Sequence, residues 1–193
     1  MLTSKNSEII TMEVIQTEIQ DLLIIKPKKF NDARGFFLES YNKERFLSKG
    51  MNYDFVQDNF SSSQYGVIRG LHYQLAPYSQ AKMVQAIKGK IIDVVVDLRK
   101  ESPSFGKSFS IELSEENGLQ LMIPRGFAHG FSVLSQEVLF SYKCDNLYNK
   151  DAERGIRFND PFLGIDWRVP ESDAIVSDKD QNHPLFKDAA YNF

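Results

Sequence analysis

Hydrophobic residues occur along the chain in short runs that alternate with polar positions and are separated by turn-forming residues. From residue 53 onward the runs are YDFVQDNF, VIRGLHYQ, KMVQAIKG, KIIDVVVDL, SFSIELS, LQLMIPRGFAHGFSVLS and EVLFSYKC. Residues typical of turns lie between them at Gly89 and at positions 103–106, 116–118 and 135–137. Short strands spaced by about 8–12 residues, with turn signals between them, indicate a β-sandwich or barrel.

The rest of the chain completes this outline. LIIKPKKFNDARGFFLESY predicts two strands around a turn at residues 31–35. NKERFLSKG predicts a short helix over residues 42–50, with Asn42 as its N-cap and Gly50 just past its end. KIIDVVVDL carries Val and Ile on both faces, so we expect both faces to be buried. From Tyr148 the composition favours loops and short helices that wrap the sheets.

The all-β architecture that fits is a cupin-type double-stranded β-helix, or jelly roll, with short peripheral helices. In this fold, alternate strand positions surround a cavity. The sequence shows no internal repeat and no linker, so residues 1–193 are expected to form a single domain, with residues 1–11 as a polar lead-in.

Three predicted strands each place one polar group among small or apolar neighbours. Strand side chains alternate between faces, so Lys82 and Tyr142 share their faces with apolar residues. His72 shares a face with Ile68 if its strand is regular, although Gly70 could mark a bulge that shifts the phase. Taken singly, each of these polar residues is more often structural than catalytic.

Composition excludes several classes of function. A net charge of −3, with 42% hydrophobic and 25% charged residues, leaves no basic surplus for nucleic-acid binding. No apolar run of about 18 residues and no signal-peptide pattern occurs, so we expect neither a membrane span nor secretion. A single cysteine, Cys144, excludes an intramolecular disulfide and favours a reducing compartment such as the cytoplasm.

Common catalytic motifs are absent. A cupin metal site normally needs two closely spaced histidines, a carboxylate and a further histidine, but no H-x-H occurs among His72, His129 and His183. The chain also lacks a G-x-S-x-G nucleophile elbow, a P-loop and a Rossmann glycine fingerprint. We therefore expect neither a catalytic metal nor a cofactor.

The order of several motifs is specific when they are taken together. They are DARGFFLESY, FVQDNFSSS, VIRGLHYQ, QAKMVQAIKG, DVVVDLRKESPSFG, IPRGFAHGFSVLS, YKCDNLYN, ERGIRFNDPFLGIDW and SDKD. From about residue 15 to residue 186, the chain resembles the dTDP-4-dehydrorhamnose 3,5-epimerase family of bacterial nucleotide-sugar enzymes. The resemblance implies a metal-free cupin homodimer that converts dTDP-4-dehydro-6-deoxy-glucose into a precursor of L-rhamnose.

The resemblance also implies roles for individual residues. His72 would be the catalytic base and Asp180 its orienting partner, with Lys82 beside the substrate carbonyl and Tyr142 as the general acid. Tyr148 would stack on the thymine. The other implied ligand-binding residues are Arg34, Glu39, Gln57, Asn59, Arg69, His129, Glu153 and Lys179. One departure is Phe60, which stands where many members of the family have histidine.

The implied chemistry suits these residue types. Inverting a carbon next to a ketone requires removal of a weakly acidic proton, and neutral imidazole is a suitable base near neutral pH. Three alternatives remain open at this point. The protein could invert only C3 or only C5 of a related sugar, could bind a nucleotide sugar without turnover, or could be a metal-dependent cupin.

Overall fold

A computed structural model describes residues 12–193, so the expected lead-in over residues 1–11 lies outside the described part of the chain. The strands are β1 (Met12–Gln16), β2 (Leu23–Pro27), β3 (Phe30–Asp32), β4 (Gly35–Phe37), β5 (Gln57–Gln64), β6 (Val67–Gln74), β7 (Lys82–Lys88), β8 (Lys90–Asp97), β9 (Ser108–Ser114), β10 (Gln120–Ile123), β11 (Phe127–Val133), β12 (Glu137–Cys144), β13 (Glu153–Gly155) and β14 (Ile175–Val176). The helices are α1 (Lys43–Ser48) and α2 (Asp178–Gln181), with 3-10 turns at Lys150–Ala152, Glu171–Asp173 and Phe186–Asp188.

Two sheets face each other. The first has the order β1-β2-β10-β7-β12-β5, and the second has the order β13-β6-β11-β8-β9, with β14 added in parallel beside β6. Strands β3 and β4 form a separate hairpin. Between β5 and β12 the chain changes sheet at almost every turn, which is the connectivity of a jelly roll. The predicted all-β, cupin-type fold is confirmed.

Apolar side chains are buried in three layers. The central layer lies between the sheets and includes Val84, Leu121 and Phe140. A second layer lies on the outer face of the second sheet, where the segment after β12 contributes Trp167 and Phe186. A third layer lies between the first sheet and α1. The C-terminal segment therefore wraps the sheets, as its composition predicted.

Local predictions are largely confirmed. Strand β8 is buried on both faces except at its first residue. Helix α1 begins after Asn42, whose side chain accepts a hydrogen bond from the Arg45 N–H at 3.2 Å. The strand predicted over FFLESY was too long, because β4 ends at Phe37. Beyond it, Glu39 turns to pair with Arg45 of α1 at 2.8 Å.

Within residues 12–193, no helix is both long enough and apolar enough to cross a membrane.

The central layer supplies a stability prediction. Leu121 is fully buried between the sheets, so Leu121→Ala should lower the free energy of unfolding by about 2–5 kcal/mol through lost burial and the cavity left behind. Leu147→Ala is the matched control, because the Leu147 side chain is 61% exposed and its loss should change stability by less than about 0.5 kcal/mol. Urea unfolding measures the free energy of unfolding of both variants. Equal losses in the two variants would contradict the placement of Leu121 in the core.

Candidate active site

A cavity opens between the two sheets and continues into a second hollow beside it. Their empty volumes are about 550 Å³ and 460 Å³, open mouths included. Three side chains line both hollows, namely His72, Lys82 and Tyr142. The structure therefore brings together three of the four residues that the sequence predicted to be catalytic, and the fourth, Asp180, lies directly behind His72.

A slip in strand pairing decides which side chains of β6 face this cavity. His72 pairs with His129 of β11, whereas Arg69 pairs with Phe131, so β6 has one residue more than its partner between these two pairs. Arg69 and His72 consequently both line the cavity, although regular alternation would place them on opposite faces. The regular-strand prediction that Ile68 shares a face with His72 is wrong, because Ile68 packs in the outer layer.

Gly70 allows this slip. Its φ is 123°, a conformation that side chains with a Cβ rarely adopt. A Cβ at this position would also lie only 2.6 Å from the Cα of Gly130 on the neighbouring strand. Gly70, two residues before His72, is therefore required by the close approach of β6 and β11, and the bulge that the sequence left open is present.

Asp180 fixes the orientation of His72. The His72 Nε2 atom lies 2.7 Å from Asp180 Oδ1, and Asp180 Oδ2 accepts a hydrogen bond from the Gly70 N–H at 3.0 Å. Burial would raise the pKa of Asp180, but the hydrogen bonds from His72 and Gly70 outweigh it and hold this pKa below its usual value. An ionised Asp180 keeps a proton on Nε2, which leaves Nδ1 of neutral His72 as the proton acceptor.

Lys82 and Tyr142 lie on the opposite sheet, on β7 and β12. The Lys82 Nζ atom is 5.9 Å from the centre of the Tyr142 ring. Burial lowers the pKa of Lys82, although the neighbouring Cys144 and Asp93 oppose that shift. Burial raises the pKa of Tyr142, so its hydroxyl keeps its proton at neutral pH and is able to donate it.

A second histidine–aspartate pair lies deeper in the second sheet. His129 Nε2 is 2.9 Å from Asp93 Oδ2, and both side chains are buried. Burial raises the pKa of Asp93, and the nearby His129 opposes the shift. Sequence analysis predicted His129 as a ligand contact but missed Asp93. The available signal was a single carboxylate within the buried run KIIDVVVD.

At the second hollow, several of the residues predicted to bind the ligand are linked by hydrogen bonds. The Tyr148 hydroxyl donates to Glu153 at 3.0 Å, and Glu153 also pairs with Lys179 at 2.6 Å. Gln57 accepts a hydrogen bond from the Tyr148 N–H at 3.0 Å and donates to Asn59 at 3.0 Å. These five residues thus form one connected group beside the cavity.

Gln74 supports that group, and sequence analysis gave it no role. Its side-chain nitrogen donates to the Tyr78 carbonyl at 2.6 Å, and its oxygen accepts from the Asn149 N–H at 2.7 Å. Gln74 is buried at the end of β6, so it fixes the loop that carries Tyr148 to the same strand that carries His72.

Two predicted ligand contacts line neither hollow. The Arg34 side chain is 89% exposed on the β3–β4 hairpin and pairs with Asp32. Glu39 contacts α1 through Arg45 and Asn42. Phe60, the departure noted in the sequence, is exposed because it points away from the face of β5 that carries Asn59.

Comparisons with known proteins show the family of this chain. The sequence profile of the dTDP-4-dehydrorhamnose 3,5-epimerase family matches residues 16–188. The enzyme of that name from Shigella flexneri is 53% identical over 181 residues, which covers 93% of this chain and 99% of the relative.

Two solved structures are also similar. The dTDP-4-dehydrorhamnose 3,5-epimerase from Elizabethkingia anophelis NUHP1 has a TM-score of 0.88 at 54% identity, covering 92% of this chain and 97% of that one. The dTDP-6-deoxy-D-glucose-3,5-epimerase from Legionella pneumophila Philadelphia 1, crystallised with dTDP-4-keto-L-rhamnose, has a TM-score of 0.88 at 46% identity, covering 92% and 94%. The chain belongs to the dTDP-4-dehydrorhamnose 3,5-epimerase family.

Proposed function

We propose that this protein is an isomerase that converts dTDP-4-dehydro-6-deoxy-D-glucose into dTDP-4-dehydro-L-rhamnose by inverting C3 and C5. The observation that carries the proposal is the pair formed by His72 and Asp180, which shares one cavity with Lys82 and Tyr142. Together they provide an oriented base, a cation and a protonated hydroxyl, which are the groups that inversion next to a ketone requires.

His72 removes the proton. Its Nδ1 takes a proton from the carbon beside the C4 carbonyl, and Asp180 stabilises the imidazolium that forms. The negative charge then develops on the carbonyl oxygen, where Lys82 meets it. Stabilisation of this kind by one oriented donor is commonly worth about 3–4 kcal/mol. Partial burial of Lys82 strengthens this interaction, because water screens the developing charge less.

Tyr142 returns a proton from the other side. His72 lies on β6 of the second sheet and Tyr142 on β12 of the first, so the two groups approach the sugar from opposite walls. Removal on one face and return on the other inverts the carbon. No electrons leave the substrate in this sequence of steps, so the chemistry requires no redox cofactor, and Lys82 supplies the positive charge at the carbonyl oxygen.

The nucleotide is held at the mouth of the cavity. Arg69 lines the cavity, where its guanidinium suits a bidentate contact to the diphosphate. The Tyr148 ring is more than half exposed, so one face is available for stacking on thymine. The single cysteine, which is buried, fits a protein that works in the reducing cytoplasm.

Deuterium exchange tests the function. The protein is incubated with dTDP-4-dehydro-6-deoxy-glucose in D₂O, and the product is analysed by NMR. We expect one deuteron at C3 and one at C5, with inverted configuration at both carbons. Incorporation of only one deuteron would contradict the proposal and indicate an epimerase that acts on a single carbon. Incorporation of none would indicate a protein that binds the nucleotide sugar without turnover. His72→Ala is the control, since it should abolish exchange while equilibrium dialysis still shows dTDP binding.

A second prediction concerns Asp180. Asp180→Asn can donate an amide hydrogen to His72 Nε2, which would move the imidazole proton to Nδ1 and block the base. We expect kcat to fall by about 10⁴-fold, as when an aspartate that orients a catalytic histidine is replaced by asparagine. Asp178→Asn on the same helix is the matched control and should keep kcat, because the Asp178 side chain is exposed. Equal kcat values for the two variants would remove Asp180 from the mechanism.

We also infer that the protein is a homodimer in which the β3–β4 hairpin of one chain completes the cavity of the other. The hairpin pairs with neither sheet, and Phe36 and Phe37 are 58% and 61% exposed on it. Exposed aromatic residues beside an arginine are typical of a protein interface. In a two-fold dimer the contact would bring the partner's copies of these residues to each cavity.

Mixed dimers test this arrangement. His72→Ala chains have no base, and Arg34→Ala chains should have a raised KM. In a mixed dimer, the cavity of the Arg34→Ala chain keeps its own His72. If Arg34 acts on the partner's cavity, that same cavity also receives an intact Arg34 from the His72→Ala chain, so turnover should recover with a normal KM. Purification through two different affinity tags isolates this dimer, and sedimentation should give twice the 22.2 kDa chain mass. A KM that stays raised would place Arg34 elsewhere.

A further inference from the structure

A second histidine contacts the carboxylate that orients the catalytic base. His183 Nε2 lies 3.6 Å from Asp180 Oδ1, the same oxygen that His72 approaches at 2.7 Å. The two imidazole rings meet edge to face, with their centres 5.6 Å apart. His183 has no part in the proposed reaction, and sequence analysis assigned it no role.

The His183 nitrogen has no hydrogen-bond partner. Its Nε2 atom is buried and unpaired among the described residues, although buried polar atoms are nearly always bonded. The ring packs against Gly155, where a Cβ would lie 2.3 Å from Nε2. The absence of a Cβ at Gly155 therefore makes room for the ring, whose unused nitrogen lies 3.6 Å from Asp180 Oδ1.

The three side chains offer the donor set of a zinc site. One ligand atom from each of His72, Asp180 and His183 lies within 4.8 Å of the other two. Zinc binds imidazole nitrogen and carboxylate oxygen at about 2.0–2.2 Å, which puts neighbouring ligands roughly 3.4 Å apart in a tetrahedral site. The distances of 2.7 Å and 3.6 Å to Asp180 Oδ1 lie on either side of that value.

The surroundings also suit a bound cation. Asp180 Oδ2 is already held by the Gly70 N–H, which leaves Oδ1 as a single oriented ligand atom, and such support from outside the metal ligands is usual in metal sites. Nearby charges nearly balance, because Glu153 pairs with Lys179 at 2.6 Å. The His72 side chain is 30% exposed toward the cavity, so an ion can enter from that side.

We propose that His72, Asp180 and His183 form an inhibitory zinc site, in which Zn²⁺ switches off the base. The inference rests on the proposed role of His72. An imidazole bound to zinc through Nε2 keeps its one remaining proton on Nδ1. The proton passes from Nε2 to Nδ1 through water, the ring stays neutral, and Nδ1 no longer has a lone pair for the substrate proton. The ion is therefore an inhibitor, and the reaction itself remains metal-free.

Zinc titration tests the proposal with two readouts. Turnover is followed at buffered Zn²⁺ from nanomolar to micromolar levels, and binding is measured separately by competition with a chromophoric chelator. We expect one zinc per chain, inhibition over the same concentration range as binding, and full recovery with EDTA. Mg²⁺ should not inhibit, because it prefers oxygen ligands. The chelator assay reports binding even if the proposed turnover is absent.

Variants identify the ligands. His183→Gln should raise the zinc dissociation constant and the inhibitory concentration by more than about tenfold, since loss of a residue that only supports a ligand already costs about 10–100-fold. Cys144→Ser should leave both values unchanged, because Cys144 lines the second hollow but does not belong to the proposed zinc site. Inhibition is compared with each variant's own rate without zinc, and dTDP binding verifies folding. Unchanged zinc binding in His183→Gln, or loss of binding in Cys144→Ser, would overturn the proposal.

Discussion

The hydrogen bond between His72 and Asp180 links two parts of the chain that are 108 residues apart in sequence. His72 lies in the second sheet, whereas Asp180 lies on the short helix α2 of the C-terminal segment. Four residues of helix have little stability alone, so tertiary contacts hold it in place. The Asp180 N–H donates to Ser177 at the helix start, and the outer apolar layer fixes the segment against the sheet. Chemistry at His72 therefore depends on packing on the far side of the sheet.

The same arrangement explains how an ionised carboxylate is tolerated behind the cavity. Asp180 is almost fully buried, and an unpaired buried charge is costly. Hydrogen bonds from a backbone N–H and from an imidazole replace the lost water. These donors are positioned before substrate binds, so little reorganisation accompanies proton transfer. Asp93 behaves differently. Its carboxylate bonds His129 through one oxygen, while the other has no partner among the described residues, and its pKa is raised.

Sequence patterns predicted the sheets well and the site only in part. Alternation and turn residues specify strands because both depend on neighbouring residues, and the buried β8 and the capped α1 were recognised for that reason. The phase of β6 was not predictable, because the slip at Gly70 results from the approach of Gly130 on another strand. For a similar reason, sequence analysis gave no role to Asp93, Gln74 and His183. Their partners are brought close by the fold and carry no local pattern, whereas the four proposed catalytic residues were found through family resemblance.

Charge at the cavity mouth supports the proposal that a second chain contributes to the binding site. A nucleoside diphosphate carries two negative charges beside the sugar. Lys179 is already paired with Glu153, and Lys82 lies at the sugar end, which leaves Arg69 as the guanidinium that lines the cavity. Arg69 donates to the Ser63 hydroxyl at 3.1 Å and to the Ser62 carbonyl at 3.5 Å, so most of its five donors are available, but a single arginine cannot neutralise both charges. In the proposed dimer, Arg34 on the exposed hairpin of the other chain would supply a second guanidinium. Under the proposal of a homodimer, dimerisation would serve substrate binding in addition to any effect on stability.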